Sequence, residues 1–366
     1  MITYGPYDLD KIGKYRAVIS GKADHWGEIC FIDVSAGGGK KQLARLDIAP
    51  THKLGQFDMI VDFEIAEPLI DLKVGFFADE KSNIQLTGAL LSEFIDLKIK
   101  KEKVQDFIGR SILQGGPALS QHKICDDIRV LQTCDPFRYK KILDISGAFN
   151  KKCLMSSNIE LSLHQGIEYG IYPHHAAYNR VKVIREWLDS GYCGWVLYID
   201  ADSIISKPNF DFITFFKELR KEKFFLWLSQ DNISHDYYVF NDGVFAIDLS
   251  NEYSRQIIRT WDQIYAEYYM PNDFLWASSW DDIINDQDSL SKIIQEMNSV
   301  HGENFLNGIK YGELQSHWKL GWEINLDRIF FSALRSDYGG ISAEEEMDAR
   351  VNAIQTAIGM ISCEGI

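Results

Sequence analysis

Two carboxylates, Asp200 and Asp202, close the run Trp195-Val196-Leu197-Tyr198-Ile199, with a single alanine between them. A short, almost wholly apolar run of this kind predicts a buried strand of an α/β sheet. Open sheets of that class build their sites outside the carboxyl ends of strands. Two hard oxygen donors there suit Mn²⁺ or Mg²⁺, which bind carboxylates and phosphate oxygens together. Such a cation would offset the charge of a leaving diphosphate, the chemistry of sugar transfer from a nucleotide donor. The same triplet can simply cap a helix or a turn. Its place directly after an apolar strand favours the metal reading.

The elements that must position this pair follow from the flanking pattern. Ile128 to Leu131 predicts a first parallel strand, Phe137 to Asn150 a helix, and Ile159 to Leu163 a second strand. Residues 176 to 190 carry Val181, Ile184, Trp187 and Leu188 at helical spacing, with Gly191 as C-cap. After the Asp200 strand come an apolar strand at Phe224 to Leu228, a turn at Asn241-Asp242-Gly243 and a strand at Val244 to Ile247. Helical spacing returns over Ile257 to Tyr268, and over Ile283, Leu290, Ile294 and Met297. Strand–helix alternation predicts a parallel sheet covered by helices.

Residues 1 to about 110 read differently. Tyr15 to Ser20, Gly27 to Val34, Met59 to Ala66 and Leu72 to Ala78 are short apolar runs separated by turn signals, which predicts a β-sandwich-like domain. Gly37-Gly38-Gly39-Lys40-Lys41 lacks the spacing of a phosphate loop and predicts a hairpin turn. Trp26 and Tyr7 are candidates for a glycan-binding face; the alternative is a packing or spacer module. A linker centred on Gly115-Gly116-Pro117 then places an accessory domain at 1–115 and a catalytic domain at 116–366.

Bulk composition narrows the function. Hydrophobic residues make up 46% and charged residues 25% of the 366, so the chain is globular. A net charge of -15 argues against a nucleic-acid partner but not against a nucleotide, whose charge a bound cation offsets. The six cysteines show no zinc-site spacing and predict free thiols. The start carries no basic patch followed by an apolar run, and no stretch approaches a membrane span. A cytoplasmic protein is expected, with peripheral membrane contact left open.

Four segments in order resemble one family: Tyr178-Asn179-Arg180-Val181-Lys182, then Trp195 to Asp202, then Asn241-Asp242-Gly243-Val244-Phe245, then Asp286-Gln287-Asp288-Ser289-Leu290. The chain is similar here to the galactosyl- and mannosyltransferase family that includes fungal Golgi mannosyltransferase subunits and plant xyloglucan xylosyltransferases. The resemblance spans roughly residues 125 to 330. It implies a GT-A, Rossmann-like fold and a metal-dependent, retaining glycosyltransferase. The implied substrates are a nucleotide-sugar donor, UDP-linked rather than GDP-mannose, and a glycan or glycolipid acceptor. It assigns Asp202 to the metal and Asp200 to the ribose or a metal-bound water. Arg180 and Lys182 would approach the diphosphate or donor sugar. Asn241 and Asp242 would face the sugar hydroxyls, although the family usually has a small residue where Asp242 stands. Asp286, Gln287 and Asp288 would lie beside the anomeric carbon. A third metal ligand is expected late in the domain, where Gln315-Ser316-His317-Trp318-Lys319-Leu320-Gly321 offers His317; His301, His174 and His175 compete.

Two other readings compete. A dehalogenase-type phosphatase also places Asp-x-Asp after an apolar strand, but wants threonine where Ile204 stands. A non-catalytic glycan-binding protein would not need the aspartate pair.

Overall fold

The computed structural model describes residues 2–9, 11–52, 54–94, 97–114, 125–230, 238–319, 322–334 and 342–363. The chain divides into two compact units, 1–97 and 98–366.

The first unit holds β1 (Ile2–Leu9), β2 (Gly13–His25), β3 (Cys30–Ala36), β4 (Lys41–Ile48), β5 (Gly55–Ile65), β6 (Leu69–Ala78) and β7 (Asn83–Glu93). They form a four-stranded sheet, β1-β6-β3-β4, and a three-stranded sheet, β5-β2-β7. Every described pairing is antiparallel. In β5 the buried Phe57, Met59, Val61, Phe63 and Ile65 alternate with exposed Gln56, Asp58, Asp62 and Glu64, the period-2 pattern of a half-buried strand. Those side chains share one core with Ile32, Val34, Leu72, Val74 and Phe76 of the other sheet. Gly37 to Lys40 form the turn of the β3–β4 hairpin, as expected. Trp26 is not on a surface: it is 1% exposed, with its ring 5.0 Å from that of Phe57. Tyr7 packs partly buried against the same core.

The second unit begins earlier than expected. Helix α1 (Leu97–Gln114) occupies what reads as the end of the β domain and the start of the linker. Gln256 Nε2 donates to Ile112 O at 2.8 Å, and Lys100 pairs with Asp273, so α1 belongs with the second unit. The boundary therefore falls near 97 rather than 115. Linker residues 115–124 lie outside the described residues.

The second unit continues with β8 (Ile128–Cys134), α2 (Lys140–Met155), β9 (Glu160–Gln165), a 3-10 turn (Pro173–Tyr178), α3 (Asn179–Asp189), β10 (Trp195–Ile199), β11 (Ser203–Ile205), α4 (Phe212–Lys221), β12 (Leu226–Gln230) and β13 (Phe240–Asp248). Then come α5 (Glu252–Gln263), a π turn (Ile264–Tyr268), α6 (Pro271–Trp276), α7 (Asp286–His301), α8 (Glu303–Leu306), β14 (Ile309–Gly312), β15 (Gln315–Trp318), β16 (Phe330–Ala333) and α9 (Ala343–Cys363). The main sheet has six strands in the order β14-β12-β13-β10-β8-β9. It is mixed rather than parallel: β13 runs antiparallel to both neighbours, while β10, β8 and β9 run parallel. A smaller sheet joins β11, β16 and β15.

Side-chain alternation sorts β10 between two helical layers. Trp195, Leu197 and Ile199 join a core built with α2, α4 and α9. Tyr198 faces the other layer, where the Arg180 guanidinium of α3 lies 4.1 Å from its ring centroid. Among the described residues no helix is long and apolar enough to cross a membrane.

Candidate active site at the carboxyl end of β10

The chain turns sharply after Ile199, and three polar side chains hold that turn. Gln132 Nε2 donates to Asp200 O at 3.0 Å, Ser146 Oγ to Ala201 O at 2.6 Å, and Asn150 Nδ2 to Ser203 O at 3.0 Å. Buried backbone carbonyls need such partners, and here the partners fix where the two carboxylates point. From the next strand, Gly243 O accepts from Asp200 N at 2.7 Å. A Cβ on Gly243 would lie 2.7 Å from Asp200 Oδ2, so only glycine allows this approach. Residues 241–243 are thus not a turn. They lie within β13, where the register against β12 jumps between Leu228–Phe245 and Ser229–Asn241, bulging the strand toward Asp200.

Arg180 is the hub of the site. It is 5% exposed, and its guanidinium lies 2.9 Å from Asp200 Oδ1, 3.2 Å from Asp242 Oδ2 and 3.0 Å from Asp286 Oδ2. It also donates to Asp242 O at 2.8 Å. Tyr198 Oη donates to Asp200 Oδ1 at 2.7 Å. Burial pushes the Asp200 carboxyl up to about 7; Arg180 opposes the rise and Asp202 adds to it. Burial raises Asp242 well above the usual carboxylate range, helped by Asp286 and opposed by Arg180.

Asp202 has a different partner. Its Oδ2 pairs with Arg350 of α9, and Ser203 Oγ donates to its Oδ1 at 3.3 Å. Both aspartates line a cavity of about 260 Å³, shared with Thr133 and Asp135 at the end of β8, Trp280, Arg180 and Arg350.

The structure gathers Asp200, Arg180, Asp242 and Asp286 in one cluster, with Asp202 beside it. The other expected site residues stand elsewhere. Asp242 and Asp286 reach the cluster through Arg180 and do not line the cavity. Asn241 Oδ1 accepts from Gly243 N at 2.8 Å and from Gln315 Nε2 at 3.3 Å, an internal brace of the bulge. Gln287 is half-buried outside the cavity lining. Asp288 is exposed and completes the α7 cap, where Asn285 Oδ1 accepts from Asp288 N at 2.7 Å. Lys182 is part-exposed with Glu186 at 3.8 Å, away from the cavity.

His317 sits on β15, separated from β11 by β16. Two strand spacings, about 10 Å, divide it from the strand that follows Asp202. Leu320 and Gly321 of its segment lie outside the described residues. His301 ends α7 beside Tyr253, ring centroids 5.0 Å apart. His174 lines the cavity and has Nε2 3.1 Å from Ala277 O. His175 is buried: its Nδ1 accepts from Ile171 N at 3.1 Å, so Nε2 donates to Ala277 O at 3.1 Å. Burial lowers its pKa to about 3, and it stays neutral.

Among the described residues no group of three His, Cys, Asp or Glu side chains is placed to hold a metal. The charge balance nevertheless fits a cation. Burial favours the neutral form of Asp242, so Asp200, Asp202 and Asp286 set three carboxylates against the two guanidiniums of Arg180 and Arg350, an excess of one negative charge. A divalent ion offsets that excess, and hard oxygens suit Mg²⁺ or Mn²⁺. Of the three expected ligands, Asp200 and Asp202 line the cavity and His317 does not.

Sequence reasoning missed Arg350, Tyr139, Trp280 and Asp135. Asp135 carried a usable signal, since it follows the first parallel strand as Asp200 follows β10. It accepts from Phe137 N at 2.8 Å and Arg138 N at 2.6 Å, shaping the loop at the cavity edge.

No protein-family model and no curated protein matches this chain. Among solved structures, it is similar to a glycosyltransferase involved in the glycosylation of the major capsid of PBCV-1. That likeness covers 63% of this chain and 99% of the other, at 12% identity and a TM-score of 0.40. The apo-form glycosyltransferase GlyE of Streptococcus pneumoniae TIGR4 is similar over 66% of this chain and 64% of its own, at 13% identity and a TM-score of 0.35. A carbohydrate binding module from Cellvibrio mixtus lichenase 5A, in complex with cellotriose, is similar over 24% of this chain and 64% of its own, at 10% identity and a TM-score of 0.20. Likenesses this distant establish neither family nor function.

Proposed function

We propose that the chain is a glycosyltransferase of the GT-A type, moving a sugar from a nucleotide diphosphate, UDP-linked rather than GDP-linked, to a glycan-type acceptor. One observation carries the reading. Two carboxylates at the carboxyl end of a buried strand line the same cavity as two buried guanidiniums and the end of β8. Open α/β sheets bind nucleotides at such ends. A Mn²⁺ or Mg²⁺ ion held by Asp200 and Asp202 would stabilise the charge that develops on the departing diphosphate.

The chain's own residues do the rest. Arg180 holds the Asp200 carboxylate in position, and Asp242 and Asp286 hold Arg180. Trp280, 43% exposed at the cavity, offers an aromatic face to a base or sugar ring. Transfer with retention of configuration, implied by the family resemblance, is part of the proposal. The first unit is read as a β-sandwich accessory module. The phosphatase alternative is disfavoured because Ile204, where it needs threonine, is fully buried in β11.

The test is a donor screen. Purified protein with Mn²⁺ is offered UDP- and GDP-sugars, and released nucleotide and the anomer of the freed sugar are followed. Metal-dependent release from a UDP-sugar is expected. Release from no donor, together with turnover of p-nitrophenyl phosphate, would replace this reading with a phosphatase.

A further inference from the structure

Arg350 comes from the last helix, 148 residues after Asp202 in the chain, yet it is 3% exposed and lines the cavity. Its guanidinium is anchored twice without the help of Asp202. Nε donates to Ala333 O at 2.8 Å, and Nη1 donates to Tyr139 Oη at 2.7 Å. The Tyr139 ring centroid lies 4.8 Å from its Cζ. These neutral partners orient the planar group from behind. The remaining nitrogen, Nη2, meets Asp202 Oδ2.

That contact conflicts with the charge the site is built to take. A cation on Asp202 and a guanidinium on the same carboxylate oxygen repel each other at close range. One must give way. Nη2 can leave Asp202 without freeing the side chain, because Nε and Nη1 stay bound. A fixed guanidinium edge facing a cavity, beside a cation site, is a phosphate-binding device.

We infer, on the basis of the proposed function, that Arg350 is an arm of the donor site. Its Nη2 edge rests on Asp202 when no cation is present and binds a donor phosphate once a cation takes that carboxylate. Two consequences have opposite signs. Arg350 should oppose binding of the cation alone and favour binding of the nucleotide with the cation, a coupling between two ligands through one side chain. An ion pair with a purely structural role would, when broken, loosen the site for both.

The experiment titrates two probes into the full chain. Mn²⁺ alone is followed by the loss of its free paramagnetic resonance signal, and UDP in saturating Mn²⁺ by calorimetry. Arg350→Gln should bind Mn²⁺ alone about tenfold more tightly and UDP about tenfold more weakly, each a factor of ten in an equilibrium constant. Because that variant leaves a buried carboxylate without its partner, two milder ones accompany it. Arg350→Lys keeps the charge but loses the fork, and should weaken UDP by about threefold to tenfold. Tyr139→Phe removes one anchor and should weaken UDP by about threefold, within the usual worth of one hydrogen bond. Both affinities falling together, or UDP binding unchanged in all three variants, overturns the inference while the wild-type binding leaves the proposed function standing. Wild-type protein that binds neither Mn²⁺ nor UDP removes the proposed function, and the inference with it.

Discussion

Each end of strand β10 has an arginine beside it, Arg180 buried and Arg220 partly buried, and the two are treated differently. Near the amino end, Arg220 grips Asp248 with both edges, Nε to Oδ2 at 2.7 Å and Nη2 to Oδ1 at 3.0 Å. Its second acid, Asp126, is exposed. One partly buried cation meets one buried anion in bidentate geometry, the arrangement that offsets desolvation best. At the carboxyl end, Arg180 meets three carboxylates, and the Asp242 and Asp286 oxygens nearest it lack hydrogen-bond geometry. The first cluster is complete in itself. The second holds surplus negative charge, which folding alone gives no reason to bury. Surplus charge at the end where α/β sheets place their sites is what the proposed function requires of the carboxyl end.

The largest expected difference between the two ends is in activity. Asp202→Asn should lower transfer by at least about 10²-fold, as loss of a charged group at a reacting diphosphate does. The variant should still fold, at a stability cost of about 3 kcal/mol, because the buried Arg350 guanidinium is left without its anion. EDTA should reproduce the loss in the wild type. Donor turnover that survives both treatments would remove the metal from the mechanism.

Next come stability effects of opposite sign. Asp248→Asn breaks a balanced buried pair and should cost about 3 kcal/mol, the low end for such pairs because Arg220 keeps some exposure. Asp286→Asn removes one of three carboxyl groups crowded on one cation, so stability should hold or rise by up to about 1 kcal/mol. Urea unfolding of the two variants side by side decides it. A loss of similar size in both would mean that the Arg180 cluster is an ordinary structural network.

A pair of glycines sharpens the same contrast. At Gly243 an added Cβ would press within 2.7 Å of Asp200 Oδ2 and 2.8 Å of Asn241 Oδ1. Gly243→Ala should displace that carboxylate and lower kcat by about tenfold or more, since sub-ångström misplacement in a site is costly. Gly191 caps α3 at φ +88 in open space. Gly191→Ala should cost about 1 kcal/mol of stability and leave kcat unchanged. Equal kinetic effects in both variants would contradict the division between the ends.

What the sequence revealed follows how local each signal is. Strand β10 was legible because five consecutive apolar residues need no partner to be read. Helices α3 and α5 were legible from one apolar face each. Strand β13 was misread at Asn241-Asp242-Gly243, because turn-forming residues there serve a bulge whose acid finds Arg180, 62 residues away. Helix α1 was missed because its polar Lys-Ile-Lys-Lys-Glu-Lys start shows little periodicity and its docking partners lie in α5, α6 and α7. In the first unit β1, β4 and β7 escaped notice, being largely exposed and mixed in polarity. Within the site, Asp200 and Asp202 were read from type and spacing, and Arg180 from the family resemblance. Arg350 was not, since a contact across 148 residues leaves no local trace.

The smallest expected effect concerns Lys182, which motif matching paired with Arg180 as a phosphate contact. Two residues apart on a helix means about 200° of rotation, so both side chains cannot face one cavity. Arg180 takes the inward direction and is buried, while Lys182 keeps 36% of its side-chain surface exposed and lies 3.8 Å from Glu186 one turn on. A pair of that kind contributes a few tenths of a kcal/mol, roughly 0.3–0.5. Lys182→Ala should therefore change UDP affinity in Mn²⁺ by less than about twofold, well inside the 1.4 kcal/mol that a tenfold change requires. Calorimetric titration of UDP measures it directly. A tenfold loss would show that the α3 surface reaches the nucleotide and that the donor extends beyond the cavity between β8, β10 and α9.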